Sequence, residues 1–262
     1  MRLAVRVAAT YELQDESFGC LMVEPSLSGE RHRVVEEDLT TSPTRSCVLG
    51  RDLYGNPQRH FIAPKGRFSF AFSATVEVEP NAEIPEDAVK HPAQDLPPET
   101  LIYTLPSRYC ESDVLSRMAQ SEFGDLAPGA GQVRAIADWV RSRVEYRYGT
   151  TGPTTSARGT AIDRVGVCRD FAHLVIAFCR ALDIPARYVS GYALGLEPPD
   201  FHGYVQVYLG GAWHNVDATF AGLRPALVPI ALGRDATDVA MMTLWTPHEV
   251  VEQSVEVCKV GD

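Results

Sequence analysis

An α+β chain is predicted, with an antiparallel β-sandwich first and a region of helices followed by strands second. Three observations carry that prediction. Short runs rich in β-branched and aromatic residues fill the chain to about residue 80, a proline-rich stretch follows, and helical periodicity then gives way to a hairpin pattern. The implied organisation is a sandwich domain over residues 1–80, a linker over 81–100 and an α+β domain over 101–262.

In chain order, Leu3-Ala-Val-Arg-Val-Ala-Ala-Thr-Tyr11, Cys20-Leu-Met-Val23, Arg33-Val-Val35 and Phe68-Ser-Phe-Ala-Phe-Ser-Ala-Thr-Val-Glu-Val78 read as strands. Turn signals separate them at Ser28-Gly29, Tyr54-Gly-Asn-Pro57 and Pro64-Lys-Gly66. Several short strands punctuated this way point to an antiparallel sandwich. Pro80, Pro85, Pro92, Pro97 and Pro98, interleaved with Glu and Asp, leave room for neither a helix nor a central strand. That stretch reads as a linker or a connection held against the surface. Beyond it, residues 132–146 place Val133, Ile136, Val140 and Val144 near one helical face, with Arg134, Asp138 and Arg141 opposite. A loop rich in Gly, Thr and Ser spans residues 149–156, and a strongly apolar helix is expected over 168–182. Residues 186–193 read as a strand, 201–209 and 213–219 as a hairpin pair, and 249–257 as a last strand. There are no internal repeats and no low-complexity tracts.

Composition narrows the function classes. A hydrophobic fraction of 45% and a charged fraction of 22% over 262 residues are those of a globular chain able to bury a sizeable core. The formal net charge of −10 leaves no excess of Lys or Arg to neutralise phosphates, which argues against a nucleic-acid partner. The opening Met1-Arg-Leu-Ala-Val-Arg-Val lacks the long apolar core of a secretory signal, and no stretch approaches the roughly 18–20 apolar residues of a membrane span. A cytoplasmic location away from membranes is expected. Cysteines 20, 47, 110, 168, 179 and 258 show no Cys-x-x-Cys pairing, so free thiols are expected rather than a disulfide framework.

Chemistry concentrates in two segments. In Gly166-Val-Cys-Arg-Asp-Phe-Ala-His-Leu, Gly166 permits a tight entry and Cys168 falls where the apolar helical pattern begins. A thiol at a helix N-terminus faces unpaired N–H groups and the positive end of the helix dipole, which favour its thiolate. Asp170, in the first turn, suits the helix while opposing the thiolate slightly. Taken alone, the segment is equally consistent with a structural cysteine at a helix start.

The second segment, Phe201-His-Gly-Tyr-Val-Gln-Val-Tyr-Leu209, alternates with period two, and Gly210-Gly211 is a two-residue turn signal before Ala212-Trp-His-Asn-Val-Asp-Ala-Thr219. With that turn, Leu209 opposes Ala212, His202 faces Thr219 and Tyr204 faces Asp217. His202 and Asp217 then share a sheet face as diagonal neighbours, roughly 7–8 Å apart at the backbone. His214 falls on the opposite face, so the register selects His202 as the partner of Asp217, and a one-residue slip would reverse the choice. Cys, His and an orienting Asp make an acyl-transfer set: base, tautomer-fixing carboxylate and attacking sulfur. The Cys168 amide is the economical first oxyanion donor. Tyr146, Tyr148 and Arg158 lie in the segment that approaches the site, and each reads as structural rather than as the second donor.

These residues resemble a known family. Gly166-Val-Cys-Arg-Asp-Phe-Ala-His-Leu, Leu182-Asp-Ile-Pro-Ala-Arg-Tyr-Val-Ser-Gly-Tyr192, Asp200-Phe-His-Gly-Tyr204 and Val216-Asp-Ala-Thr219 together look like the bacterial transglutaminase-like proteins of the cysteine-protease type. Asp52-Leu-Tyr-Gly-Asn56, Val76-Glu-Val-Glu79, Leu105-Pro-Ser-Arg-Tyr-Cys110 and Gly233-Arg-Asp-Ala-Thr-Asp-Val-Ala240 extend the resemblance over nearly the whole chain. It implies a papain-like catalytic domain after an N-terminal β domain, with Cys168, His202 and Asp217 as a triad and no cofactor. Two departures are Gly203-Tyr204 where Ala-Trp or Ala-Phe is common, and Asp217-Ala-Thr219 where Asp-Pro-Thr is common. Both leave the triad intact and bear on the acyl pocket. The implied activity is hydrolysis of a peptide or amide bond, the partner being a peptide, a protein or an amide-bearing small molecule. An amine acceptor in place of water would give a transglutaminase or amide-forming acyltransferase, and a non-catalytic binding scaffold is the alternative from another class.

Other chemically suggestive residues read as structural. Cys179, about three turns on from Cys168, belongs to the core. His173, on the same helix, points elsewhere. A metal site from Cys168, His173 and His202 lacks any supporting ligand motif. Cys20, Cys47, Cys110 and Cys258 have no partner pattern, and Trp139, Trp213 and Tyr192 read as core filling.

Overall fold

The fold follows from which strands find which edges. In the computed structural model, which describes residues 1–26 and 31–261, the N-terminal part supplies β1 (Arg2–Leu13), β2 (Ser17–Leu21), β3 (His32–Ser42), β4 (Val48–Arg51), β5 (Pro57–Ala63) and β6 (Gly66–Val78). The turn expected at Ser28-Gly29 lies outside the described residues. Strict alternation in β1 buries Leu3, Val5, Val7, Ala9, Tyr11 and Leu13 and turns Arg2 and Arg6 outward. Each buried side chain of the larger apolar types is worth about 1.5–3 kcal/mol, so this one face anchors the sheet. Phe61 of β5 and Phe68 of β6 stack at 5.0 Å. At the expected turns, Gly55 and Gly66 hold φ of +81° and +88°, where a side chain would be strained. The Asp52 carboxylate accepts from the Tyr54 and Asn56 amides at 2.8 Å each, closing the first of these turns.

The second half carries α1 (Ser112–Phe123), α2 (Ala130–Arg143), β7 (Glu145–Tyr146), α3 (Ala157–Asp163), β8 (Val165–Gly166), α4 (Cys168–Ala181), β9 (Ala186–Ala193), β10 (His202–Leu209), β11 (Ala212–Val216) and β12 (Leu227–Gly233). Helix α4 is buried along its middle: Leu174 through Cys179 are fully buried, packed among α1, α2, α3, β9 and β10. The sheet runs β11-β10-β9-β12 and is antiparallel throughout. Pro229 sits in β12, an edge strand, where a missing N–H is tolerated. Residues 81–92 run without regular strands or helices, yet they lie against the second half. Ile84 and Ala88 are buried, and the Ala88 carbonyl accepts from Ala130 at 3.0 Å. Gly129, with φ of +137°, lets that carbonyl approach so closely that a Cβ would stand 2.6 Å from it.

The chain ends with β13 (Met242–Leu244) and β14 (His248–Lys259). The sequence places this last strand with the second half of the molecule. In the structure β14 pairs along the whole of β1, and β13 pairs with β2, giving sheets ordered β14-β1-β6-β3 and β13-β2-β5-β4. The physical reason is edge completion: β1 lies between β6 and β14, and the mostly exposed, charged β14 makes a polar outer strand. The result is an α+β molecule in which antiparallel sheets from both ends of the chain flank a helix-and-sheet core. Among the described residues no helix is long and apolar enough to cross a membrane.

Candidate active site

Cys168 is the first residue of α4, and the chain delivers it there by a buckle in front of the helix. Val167 is extended, and the Asp170 carboxylate folds back so that Oδ2 accepts from the Val167 amide at 2.9 Å. The same oxygen accepts from the Thr151 hydroxyl at 2.8 Å. Asp170 Oδ1 takes Arg169 Nη2 at 3.0 Å, and Arg169 Nη2 also donates to the Gly152 carbonyl at 2.9 Å. The Gly/Thr-rich loop is thereby tied to the start of α4. Gly166 is needed for space: a Cβ there would meet the Asp170 Cβ at 2.7 Å. Cys168 is partly exposed, whereas Cys110 and Cys179 are buried thiols pushed up to about 12 by desolvation. No disulfide joins the described cysteines.

His202 opens β10 opposite Gly191 of β9, and its ring stacks on Tyr204 at 6.2 Å. The hairpin register is the one the two-glycine turn dictates: Leu209 opposes Ala212 and Val205 opposes Val216. Gly210 and Gly211 both hold positive φ, as the tight turn requires. The ladder stops at Val216, so the expected pairings of His202 with Thr219 and Tyr204 with Asp217 do not form. Beyond the last rung the chain departs from the strand, and Asp217 reaches His202 directly. His202 Nε2 donates to Asp217 Oδ2 at 2.7 Å. His214 bonds instead to the Leu209 carbonyl.

The carboxylate is fully subscribed. Oδ2 also accepts from Arg224 Nε at 2.7 Å, and Oδ1 accepts from the Thr219 amide at 3.0 Å and hydroxyl at 2.6 Å. Burial alone would raise the Asp217 pKa, but His202, Thr219 and Arg224 outweigh it and hold the group well below the usual carboxylate range. Asp217 is therefore ionised, and the shared proton belongs to Nε2. Burial likewise pulls His202 down, and the opposing pull of Asp217 and then of Cys168 brings the ring up to about 9. His202 Nδ1 is buried with no hydrogen-bond partner among the described residues, and the Cys168 sulfur is near enough to help raise the ring's pKa. Imidazole and carboxylate are thus joined by a hydrogen bond, with a thiol close by. A carboxylate so placed fixes the imidazole tautomer and leaves the other ring nitrogen for proton exchange.

Residues 117–218 match the family model of the transglutaminase-like superfamily. A crystal structure of a protein from Cytophaga hutchinsonii, described as a "putative cysteine protease", superposes with a TM-score of 0.94 at 36% identity, covering 100% of this chain and 91% of that one. The chain belongs to the transglutaminase-like superfamily. An uncharacterised Mycobacterium leprae protein is 36% identical over 119 residues, covering 41% of this chain, which spans only 42% of that protein's length. An uncharacterised Mycobacterium bovis protein is 27% identical over 258 residues, covering 87% of this chain and 82% of that one.

Within this transglutaminase-like frame, two features escape sequence reasoning. Arg224, buried and stacked on Phe220 at 4.5 Å, comes from a Gly-Leu-Arg-Pro loop with no periodic or motif signal. Gly203, the departure noted beside His202, is filled from across the sheet: a methyl there would overlap the Tyr188 hydroxyl. His173 is fully buried, stacked on Tyr109 at 5.0 Å and accepting from the Ala236 amide at 3.1 Å. Burial pushes it down to about 3, so it is a neutral core residue. Arg158 donates its backbone amide to the Glu111 carboxylate at 3.2 Å.

Proposed function

We propose that this protein carries out thiol-dependent acyl transfer through a Cys168 acyl-enzyme, with hydrolysis of a peptide or amide bond as the net reaction. The observation that carries the reading is the Asp217–His202 bond through Nε2, which leaves the buried Nδ1 available to a thiol whose sulfur acts on the same ring. In the first half-reaction the sulfur bonds to the carbonyl carbon and the C=O π pair moves onto oxygen. As that pair returns, the C–N bond breaks and His202 Nδ1 gives its proton to the departing nitrogen. In the second, Nδ1 takes a proton from water, the hydroxide adds to the thioester carbon, and the acid leaves as the thiolate is restored. Asp217, kept ionised by Thr219 and Arg224, stabilises the imidazolium throughout without taking its proton. The description of the Cytophaga hutchinsonii relative as a "putative cysteine protease" supports water as the acceptor.

The test is trapping. The protein is incubated with a peptide library and intact mass is read for an acyl adduct, which is expected in the native chain and lost in Cys168→Ala. Product masses with and without added primary amine then identify the acceptor. Amide outrunning acid at modest amine concentration makes the protein a transferase. No adduct, with Cys168 alkylated no faster than the other thiols below pH 7, reduces it to a binding scaffold.

A further inference from the structure

The proposed chemistry leaves one donor unassigned: the partner of the Cys168 amide in holding the carbonyl oxygen as it becomes an anion. The chain around β7 bears on this. Tyr146 pairs in parallel with Gly166, two residues before the nucleophile, and the pairing is locked on both sides. The Glu145 amide donates to the Arg164 carbonyl at 2.8 Å and the Arg147 amide to the Gly166 carbonyl at 3.0 Å. The Tyr146 ring lies against Phe171, one helical turn beyond Cys168 on the same face of α4, at 5.7 Å. Its hydroxyl reaches the Tyr148 hydroxyl at 3.5 Å, and both rings keep more than a third of their surface open to solvent. The phenol therefore lies across the first turn of α4, where the Cys168 amide has no acceptor within the helix.

We infer that the Tyr146 hydroxyl is the second oxyanion donor of the acyl-transfer site, lying near the first turn of α4 in the free enzyme and turning its O–H to the carbonyl oxygen when substrate enters. This rests on the acyl-transfer reading above. The charges around the phenol agree. Burial and then the nearby Cys168 sulfur raise its pKa far above the ordinary value, while the Cys168 amide pulls the other way. The group thus remains an O–H donor over the whole working range of the thiol. A carbonyl attacked by Sγ presents its oxygen to the Cys168 amide, in the first turn over which the phenol ring lies, so a small rotation of the ring brings the O–H to the new occupant.

Tyr146→Phe keeps the ring on Phe171 and removes only the hydroxyl. With p-nitrophenyl acetate as acyl donor, the thiolate sulfur bonds to the carbonyl carbon and p-nitrophenolate leaves with its C–O electron pair, giving an acetyl thioester read by intact mass. The expected loss in acylation rate is about 10²–10³-fold, the range found on removing one oxyanion donor, with the rate of iodoacetamide alkylation within about threefold of the native chain. Alkylation passes through no oxyanion, so it reports the thiol and His202 alone. A second readout uses the corresponding thionoester, whose sulfur is a poor hydrogen-bond acceptor. The native chain should lose rate on the oxygen-to-sulfur exchange, and Tyr146→Phe should lose far less. Acylation within threefold of native in Tyr146→Phe, or an unchanged thionoester penalty, overturns the assignment of Tyr146 while leaving the acyl-enzyme intact. A native chain that forms no Cys168-dependent acetyl adduct overturns both.

Discussion

Replacing Arg224 by methionine removes one of the two cationic partners of Asp217 while keeping much of the apolar bulk. The magnitude follows from the bonds that remain. Asp217 accepts four hydrogen bonds, from His202, Arg224 and the two groups of Thr219, so the variant still has three. A buried ion stripped of its partner costs about 3–5 kcal/mol, and one charge-assisted bond is worth about 1.5–3 kcal/mol. Because the carboxylate is not stranded, the expected loss stays in the range of the single bond, about 2–3 kcal/mol at pH 7. The sign with pH is fixed by the depressed Asp217 pKa. The ion pair's contribution is complete above the ordinary carboxylate value of about 3.9, and it disappears as pH falls below that toward the folded-state value. Urea unfolding of both chains at pH 7, 5 and 3.5 measures this: an undiminished difference at pH 7 and 5, shrinking at 3.5. Removing the guanidinium also exposes His202 to the full carboxylate charge, so the ring should hold its proton to higher pH. A change below 0.5 kcal/mol at pH 7 with an unaltered denaturant slope would refute the view that Arg224 holds the carboxylate.

On the proposed mechanism His202, held protonated to about pH 9, supplies the proton for the leaving nitrogen, so amide turnover should fall as pH rises through about 9. Asp217→Asn removes the charge that outweighs burial and should move that limb well below 9 in a pH–rate profile; a limb that stays in place contradicts the assignment. Gly203→Ala drives a methyl into the Tyr188 hydroxyl and should cost about 1–3 kcal/mol of stability in denaturant unfolding. Adding Tyr188→Phe removes the worst overlap but leaves the ring carbon Cζ at 2.8 Å, so it should recover part of that loss, and a purely additive double-mutant cycle would show that the two positions do not meet.

What was legible in the sequence is what local chemistry encodes. The hairpin of β10 and β11 was readable because period-two alternation and Gly210-Gly211 fix the register together, and that register singles out His202 over His214. Helix α4 was readable because its apolar run is continuous and opens at a glycine. The final approach of Asp217 was not, because the ladder ends at Val216 and the carboxylate arrives by a turn held by Thr219 and Arg224. Arg224 is a tertiary partner, and nothing near it in the chain distinguishes it from a surface arginine. Strand β5 begins at a proline and is largely polar, β12 contains Pro229, and both are strands because neighbours supply the hydrogen bonds. Helix α1 buries Leu115, Ala119 and Phe123 at four-residue spacing, a helical pattern diluted by Ser and Asp. The partner of β14 could not be read at all, since an alternating strand does not name the edge it joins.

That pairing has a consequence for how the molecule is made. One edge of β1 is covered once β6 emerges, but the other waits for β14, about 170 residues later. At 5–20 residues per second the ribosome needs on the order of ten to thirty seconds to deliver it. Throughout synthesis of the transglutaminase-like core, an unpaired strand edge is available to any neighbouring nascent chain. The outward Arg2 and Arg6 discourage such strays, and Arg6 meets Glu256 at 3.0 Å only when the proper strand arrives.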